Sequence, residues 1–197
     1  CDRYQVHLIA DEIAVGFGRT GTFFACEQAG IQPDLLCLSK GISAGYLPLS
    51  AVLCTDDIFS AFYDDKSSRG FLHSHSYTGN PLACTAALAS LDIFEHDDVI
   101  ALNRERAAHL SRCAAPLASH PAVRNFRRTG MIWAFDIVTE DPLFSHKLFS
   151  AGLEHEVLLR AIGNTLYWMP PYIFDEKDAA FLAERTGEAL ESALATV

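Results

Sequence analysis

Two polar residues stand at the ends of short apolar runs, where their side chains could do chemistry. Asp11 closes the run VHLIAD (6 to 11), and Lys40 follows the run PDLLCLS (33 to 39). Both runs have the length of buried strands, and the carboxyl ends of neighbouring parallel strands converge on one ligand crevice. We therefore expect a carboxylate and an amine to meet at one edge of a sheet.

The pair Asp11 and Lys40 favours one kind of amine chemistry. A lysine that emerges from apolar surroundings is desolvated, which favours its neutral, nucleophilic form and suits it to Schiff-base formation. A nearby aspartate is the partner that pyridoxal phosphate needs, because a carboxylate keeps the pyridine nitrogen protonated and the ring can then accept electrons. From the residue types alone, a loop-capping Asp11 and a solvated strand-end Lys40 remain the alternative.

The stretch GFGRTG (16 to 21) has the spacing of a dinucleotide-binding fingerprint. That fingerprint requires glycines that close a strand and open a helix, with an acidic residue about twenty positions further on. No long helix is predicted to start within the glycines, and the acidic residue near that position, Asp34, begins the next strand instead of ending it. We therefore expect the glycines to form a tight loop beside a cofactor other than a dinucleotide. For Arg19, within this loop, a substrate-binding and a structural role are equally open.

Composition excludes several classes of partner. The 197 residues carry a net charge of −10 with scattered Lys and Arg, which argues against nucleic-acid binding. No apolar run reaches membrane-spanning length and no signal-peptide pattern is present, so we expect a cytoplasmic protein without membrane contact. The six cysteines never form C-x-x-C and are expected to be reduced core residues. His73 and His75 form H-x-H without further ligands nearby, so no metal site is expected.

The order of predicted elements indicates two domains. Strands and helices alternate in residues 1–97, which predicts an α/β domain, and hairpins with flanking helices in residues 98–197 predict a smaller α+β domain. Between strands and helices, residues 65 to 80 are expected to form a long loop. The chain begins CDRYQVHLIADE without an initiator Met, so we expect a fragment or a processed piece of a longer protein. The helices are predicted over 23–30, 57–64, 81–96, 99–120, 142–156 and 175–197, and the later strands over 122–128, 130–138, 157–162 and 165–170.

Four separated motifs, DEIAVGFGRTG, LSKG, SYTGNPLAC and MPPYI, occur in the order found in one enzyme family. Together they resemble the class III pyridoxal phosphate-dependent aminotransferases, and the resemblance spans the whole chain. It implies the α/β architecture of the pyridoxal phosphate-dependent transferases of fold type I. Residues 1–97 would be the C-terminal part of the large parallel-sheet domain, and residues 98–197 the small C-terminal domain.

The resemblance also assigns roles to residues. Asp11 matches the aspartate that pairs with the pyridine nitrogen, and Lys40 matches the lysine that forms the Schiff base with the cofactor, contacts substrate and moves the proton. The loop HSHSYTGN matches a segment that reaches the cofactor phosphate in the partner subunit, which implies a homodimer. There Ser76 would offer its hydroxyl to the phosphate, with His75 beside it. Ser74 is matched to the substrate, and many family members have glycine at its position.

The stretch VLLRAIGNTLYWMPPYIF resembles the substrate segment of the adenosylmethionine-8-amino-7-oxononanoate aminotransferases. These enzymes make 7,8-diaminononanoate for biotin biosynthesis. By this match Arg160 would hold the distant carboxylate of 8-amino-7-oxononanoate in a bidentate ion pair, and Tyr167 would lie near the substrate chain. The implied amino donor is S-adenosylmethionine, although relatives use lysine. Another class III enzyme acting on an omega-amino acid, and an inactive truncated fragment, stay open as alternatives.

Overall fold

A computed structural model describes residues 1–195. The chain divides into two compact units, unit 1 (Cys1–Val99) and unit 2 (Ile100–Val197). The last two positions of the closing helix predicted over 175–197 lie outside the described residues.

Unit 1 contains a three-stranded sheet in the order β1 (Ile9–Asp11), β2 (Leu35–Leu38) and β3 (Ala51–Cys54). Strands β1 and β2 are parallel, as the sequence predicts, with Asp11 opposite Cys37. Strand β3 is antiparallel to β2. The sheet is therefore mixed, with the chain reversing its direction over residues 39–50 between β2 and β3.

Two helices complete unit 1, namely α1 (Asp56–Phe62) and α2 (Pro81–His96). Helix α2 has the predicted bounds because Asn80 caps it: its Oδ1 accepts a hydrogen bond from the Leu82 amide at 2.9 Å, and proline is the first helical residue. The loop predicted over 65 to 80 is present and includes one short 3-10 turn. That turn is Ser67–Arg69, and the other 3-10 turns of unit 1 lie at Asp2–Tyr4, Ala25–Ala29 and Lys40–Ser43, so the helix predicted over 23–30 is a 3-10 turn.

Unit 2 contains an antiparallel sheet in the order β4-β5-β7-β6. Its strands are β4 (Val123–Thr129), β5 (Ile132–Ile137), β6 (Ala161–Ile162) and β7 (Thr165–Trp168). Its helices are α3 (Val99–Cys113), α4 (Ala115–Ala118), α5 (Phe144–Glu154) and α6 (Glu176–Ala195). Helix α3 begins at the last residue of unit 1.

Two elements of unit 2 differ from the sequence prediction. The single helix expected over 99–120 is two helices that meet at Ala114, just before Pro116. Proline has no amide proton and its ring clashes with the preceding turn, so the first helix ends there. The strand expected over 157–162 is reduced to the two residues of β6.

The core of unit 2 is built on the inner face of its sheet. Trp133, Phe135 and Ile137 alternate along β5 and are buried, and Leu166 and Trp168 of β7 join them. The Trp133 indole donates a hydrogen bond to Ser111 Oγ at 3.0 Å. Both tryptophans therefore serve packing, and helices α5 and α6 cover this face with residues that include Phe144, Leu148, Ala183, Ala189 and Leu190.

Unit 1 buries less apolar surface. Its main apolar cluster is formed by the rings of Phe17, Phe23, Phe24 and Phe94, with neighbouring centroids 4.8 to 6.4 Å apart. The prediction that the cysteines are core residues is wrong. All six are free thiols that are half-buried or exposed, because most of them lie on unit 1 elements with open faces.

The described residues include neither a membrane-spanning helix nor a cluster of metal-ligating side chains. Across residues 1–195, no helix combines the length and the apolar character needed to cross a membrane. The same part of the chain has no group of three or more His, Cys, Asp or Glu side chains placed to hold a metal ion.

Candidate active site

Asp11 and Lys40 leave the same edge of the unit 1 sheet. Strand β1 ends at Asp11, and parallel β2 ends at Leu38, two residues before Lys40. The ladder continues one residue beyond Asp11, where the Glu12 amide donates to the Cys37 carbonyl at 3.0 Å. The parallel pairing thus brings the carboxyl ends of the two strands side by side, as the sequence predicts.

The Asp11 and Lys40 side chains are both exposed. One Asp11 oxygen accepts a hydrogen bond from the Ile13 amide at 3.1 Å, which fixes the direction of the carboxylate. Lys40 begins the 3-10 turn Lys40–Ser43 and has a left-handed backbone with φ of +44°. The described residues do not bury its amine, so the desolvation expected from its apolar flanks is not present in them.

The glycine loop that follows Asp11 is organised by Glu12, a residue that the sequence analysis missed. Glu12 is 3% exposed, and its two carboxylate oxygens accept hydrogen bonds from the Ala25 and Cys26 amides, each at 2.7 Å. The Glu12 carbonyl accepts another from the Gly16 amide at 2.9 Å. One buried carboxylate therefore ties both ends of the loop together. The only signal in the sequence was a second acidic residue after a strand.

Glu12 also acts on a neighbouring thiol. Burial raises the pKa of Cys26, and a hydrogen bond to Glu12 and the negative charge of that carboxylate raise it further. Cys26 is therefore held as an unreactive thiol, which fits a packing role beside the loop.

The residues Ser74, His75 and Ser76 lie in the exposed segment that leads into α2. A compact turn shapes this segment: the His75 amide donates to Thr78 Oγ1 at 3.1 Å, and the Tyr77 amide donates to His75 Nδ1 at 3.1 Å. The His75 ring thus supports the turn through one nitrogen. Within residues 1–195, no hydrogen bond engages the hydroxyl groups of Ser74 and Ser76.

Arg160 and Tyr167 line one surface cavity of unit 2, with a volume of about 580 Å³. Strands β6 and β7 pair Ala161 with Leu166, and the same antiparallel register, extended by one pair, sets Arg160 opposite Tyr167. Opposite residues of an antiparallel pair project to the same face of the sheet. The other lining residues are mostly apolar: Leu158, Trp168, Met169, Pro170, Pro171, Ile173, Phe174, Asp178 and Leu182.

This cavity combines the Arg160 cation with mostly apolar walls, and the Asp178 carboxylate is part of the same lining. A guanidinium can hold a carboxylate through two parallel hydrogen bonds, and apolar walls accept a hydrocarbon chain. The unit 2 cavity is thus chemically suited to a ligand with an aliphatic chain that ends in a carboxylate.

Asp136 forms a polar cluster on the face of the sheet opposite the core. It accepts hydrogen bonds from Asn125 at 3.0 Å, Thr165 at 2.8 Å and Arg127 at 3.2 Å. These bonds lower the pKa of Asp136, that from Asn125 most, and keep the carboxylate charged. The cluster joins β4, β5 and β7, so it stabilises the strand that carries Tyr167. The sequence analysis did not identify it, because its members are far apart in the chain.

The residues at the unit 1 edge fit pyridoxal phosphate. The cofactor needs an amine for its aldehyde, a carboxylate for its pyridine nitrogen and hydroxyl or amide donors for its phosphate. Unit 1 supplies the first two at adjacent strand ends and exposes serine hydroxyls near the N-terminus of α2.

Comparison with known proteins agrees with these features. A family model described as "Aminotransferase class-III" matches residues 1–190. The adenosylmethionine-8-amino-7-oxononanoate aminotransferase of Helicobacter pylori is 46% identical over 184 residues, which is 90% of this chain and 42% of the relative. The enzyme of the same name from Geobacter sulfurreducens is 39% identical and aligns with 100% of this chain and 45% of its own length. The chain thus spans less than half the length of these curated relatives.

Solved structures show the same architecture. The crystal structure of adenosylmethionine-8-amino-7-oxononanoate aminotransferase from Methanocaldococcus jannaschii superposes with a TM-score of 0.90 at 34% identity, covering 97% of this chain and 47% of that one. An (S)-enantioselective omega-transaminase from Thermomicrobium roseum has a TM-score of 0.89 at 30% identity, covering 98% and 45%. The chain belongs to the class III aminotransferases, a pyridoxal phosphate-dependent family, and has the α/β architecture of the fold type I transferases.

Proposed function

We propose that the protein transfers an amino group to 8-amino-7-oxononanoate and produces 7,8-diaminononanoate for biotin biosynthesis, with S-adenosylmethionine as the amino donor. The observation that carries the proposal is the parallel pairing of β1 and β2, which sets Asp11 and Lys40 at one sheet edge. The names of the most similar curated relatives support this choice of acceptor and donor.

Pyridoxal phosphate, when bound, supplies an aldehyde that captures amines and a ring that accepts the electrons released at the substrate carbon. Lys40 would provide the amine that anchors the cofactor, and it would be the base that moves a proton at the substrate carbon. Asp11 would keep the pyridine nitrogen protonated through its carboxylate, which accepts a hydrogen bond from the Ile13 amide.

Arg160 is the residue that we assign to substrate recognition. Its position in the unit 2 cavity beside Tyr167 suits the carboxylate and aliphatic chain of 8-amino-7-oxononanoate. A planar guanidinium binds a carboxylate at two points, so it fixes the orientation of the chain as well as its charge.

The assembly in this proposal is a homodimer. Ser76 and His75 contact the cofactor phosphate of the partner subunit, and Ser74 lies against substrate. The exposure of all three residues and the absence of hydrogen bonds to both serine hydroxyls in residues 1–195 support this assignment. Unit 1 is then the C-terminal part of the cofactor domain, and unit 2 is the small C-terminal domain.

Product formation by the protein expressed from its complete gene tests the proposal. The purified protein is incubated with pyridoxal phosphate, 8-amino-7-oxononanoate and S-adenosylmethionine, or with lysine as a second donor, and 7,8-diaminononanoate is measured by mass spectrometry. We expect product with S-adenosylmethionine and a loss of about 1,000-fold or more in Lys40→Arg, which keeps the charge but removes the usable amine. Absence of product with both donors would reject the proposal.

A second candidate is the amination of another omega-amino acid or amine. The structural likeness to the omega-transaminase of Thermomicrobium roseum favours it. The same assay with pyruvate and a panel of omega-amino acids separates the two. Turnover of the panel without turnover of 8-amino-7-oxononanoate would establish the second candidate in place of the first.

A further inference from the structure

The backbone of Lys40 adopts a conformation that a lysine rarely takes. Its φ of +44° is in the left-handed region, where a side chain crowds the following carbonyl. Such a conformation persists only when the surrounding structure holds it, and residues of this kind cluster at functional sites. The contacts around the Lys40–Ser43 turn therefore decide where the Lys40 amine points.

One side of this turn is closed by Phe17. A Cβ atom placed on Gly41 would come within 2.8 Å of Phe17 Cβ and 2.9 Å of Phe17 Cδ2, so only glycine fits beneath this side chain. Phe17 is 3% exposed and is itself left-handed, with φ of +57°. Its ring is fixed by edge contacts to Phe23 at 5.4 Å and Phe24 at 5.9 Å.

The other side of the turn is held by α2. Ser90, which is 5% exposed, donates a hydrogen bond from its hydroxyl to the Gly41 carbonyl at 3.3 Å. The preceding residue is fixed as well, because Ser39 Oγ donates to the Leu49 carbonyl at 2.8 Å. Gly41, the residue directly after Lys40, is thus confined between an aromatic ring and a buried hydroxyl.

We propose that Phe17 and Ser90 are positioning residues for Lys40: together they confine Gly41 and thereby hold the lysine backbone in the conformation that directs its amine toward the cofactor. This inference rests on the proposed role of Lys40. It gives the glycine loop a function, since Glu12 ties the loop closed and the loop carries Phe17 to Gly41.

The test measures the rate at which Lys40 captures pyridoxal phosphate, independently of turnover. Protein expressed from the complete gene is mixed with the cofactor and reduced with borohydride at timed intervals. Lys40 Nζ and the aldehyde carbon join with loss of one water, and borohydride adds the hydride that makes the bond permanent. Mass spectrometry of the Lys40 peptide then gives the rate of capture.

We expect Phe17→Leu to slow capture at Lys40 and kcat by about 10-fold or more, because small misplacements of a reacting group cost large factors in rate. The KM for 8-amino-7-oxononanoate should change less than about 2-fold, since substrate contacts are not altered. The matched control is Phe94→Leu, which removes a ring from the same aromatic cluster, whereas the three atoms nearest to a Cβ on Gly41 all belong to Phe17. It should lower Tm and leave the rate of capture unchanged.

Ser90→Ala is the second variant, and it leaves no large cavity. It should slow capture by a smaller factor than Phe17→Leu, whereas Thr85→Ala on the same helix should not, because the Thr85 hydroxyl donates to the Pro81 carbonyl of its own helix. Equal capture rates in wild type, Phe17→Leu and Ser90→Ala would overturn the inference while leaving the role of Lys40 intact. No capture at Lys40 in the wild type would instead reject the proposed function.

Discussion

The two units differ in what holds their functional residues. In unit 2, Tyr167 lies between Leu166 and Trp168, which are anchored in a large buried core. In unit 1, large side chains such as Tyr46 and Tyr63 are 85% and 78% exposed, and Lys40 depends on one aromatic cluster and a few hydrogen bonds. Tyr167 is thus placed by ordinary core packing, whereas Lys40 is placed by local contacts of unusual geometry.

The largest expected change in the free energy of unfolding distinguishes the core of unit 2 from the sheet of unit 1. Trp133→Ala in the chain of 197 residues should reduce the free energy of unfolding by about 3 to 5 kcal/mol, because it empties the centre of the unit 2 core. Leu53→Ala, on exposed β3, should change it by about 0.5 kcal/mol or less. Urea unfolding followed by circular dichroism measures both, and equal losses would refute the contrast between the units.

A smaller loss in the free energy of unfolding is expected when Glu12 is replaced, because its hydrogen bonds hold the glycine loop of unit 1. Glu12→Gln replaces one acceptor oxygen by an amide donor that faces the Ala25 or Cys26 amide, so a buried donor loses its partner. The free energy of unfolding should fall by about 1 to 3 kcal/mol. Glu95→Gln on the exposed face of α2 is the control and should be neutral within about 0.5 kcal/mol. Neutrality at Glu12 would show that the loop does not need its carboxylate.

The pH dependence of stability should reveal the Asp136 cluster of unit 2. Hydrogen bonds from Asn125, Thr165 and Arg127 lower the pKa of this carboxyl in the folded state. A lowered folded-state pKa gives stability that is present above the unfolded value of about 3.9 and is lost as the pH falls through the folded value. Asp136→Asn should therefore lower Tm at neutral pH and show a weaker decline in Tm below about pH 4 than wild type. Parallel curves of Tm against pH for wild type and Asp136→Asn would contradict the stabilising role of the Asp136 cluster.

The smallest effect concerns two thiols of unit 1. Burial, with Glu12 beside it, raises the pKa of Cys26, whereas Cys54 is exposed. Because the thiolate is the reactive form, iodoacetamide at neutral pH should modify Cys54 before Cys26. Peptide mass mapping of the alkylated protein gives the order. Faster modification of Cys26 would mean that the loop opens readily.

The sequence predicted those parts of the fold that depend on neighbouring residues. Helix α2 has the predicted bounds because Asn80 and Pro81 form a strong start signal, and the strand ends at Asp11 and Leu38 follow from short apolar runs. The break at Ala114 was missed because Pro116 was read as part of a continuing helix.

Contacts between distant residues could not be predicted in this way. Glu12 bonds to amides 13 and 14 positions away, and Ser90 bonds to a carbonyl 49 positions away. Neither the burial of Glu12 nor the left-handed backbone of Lys40 leaves a signal in the residues around it. Both depend on the way the glycine loop folds, since Glu12 bonds to the Ala25 and Cys26 amides and Phe17 packs against Gly41.

The division of roles between the units can be tested in one steady-state experiment. Asp11→Asn and Arg160→Lys are prepared in the protein expressed from its complete gene, and kcat and KM for 8-amino-7-oxononanoate are measured side by side. We expect Asp11→Asn to lower kcat by about 100-fold or more with little change in KM, because the pyridine nitrogen of the cofactor would hold its proton less tightly without the carboxylate charge. Arg160→Lys should raise KM by about 10-fold or more with a smaller effect on kcat, because the bidentate ion pair is lost. An unchanged KM in Arg160→Lys, or an unchanged kcat in Asp11→Asn, would contradict the account.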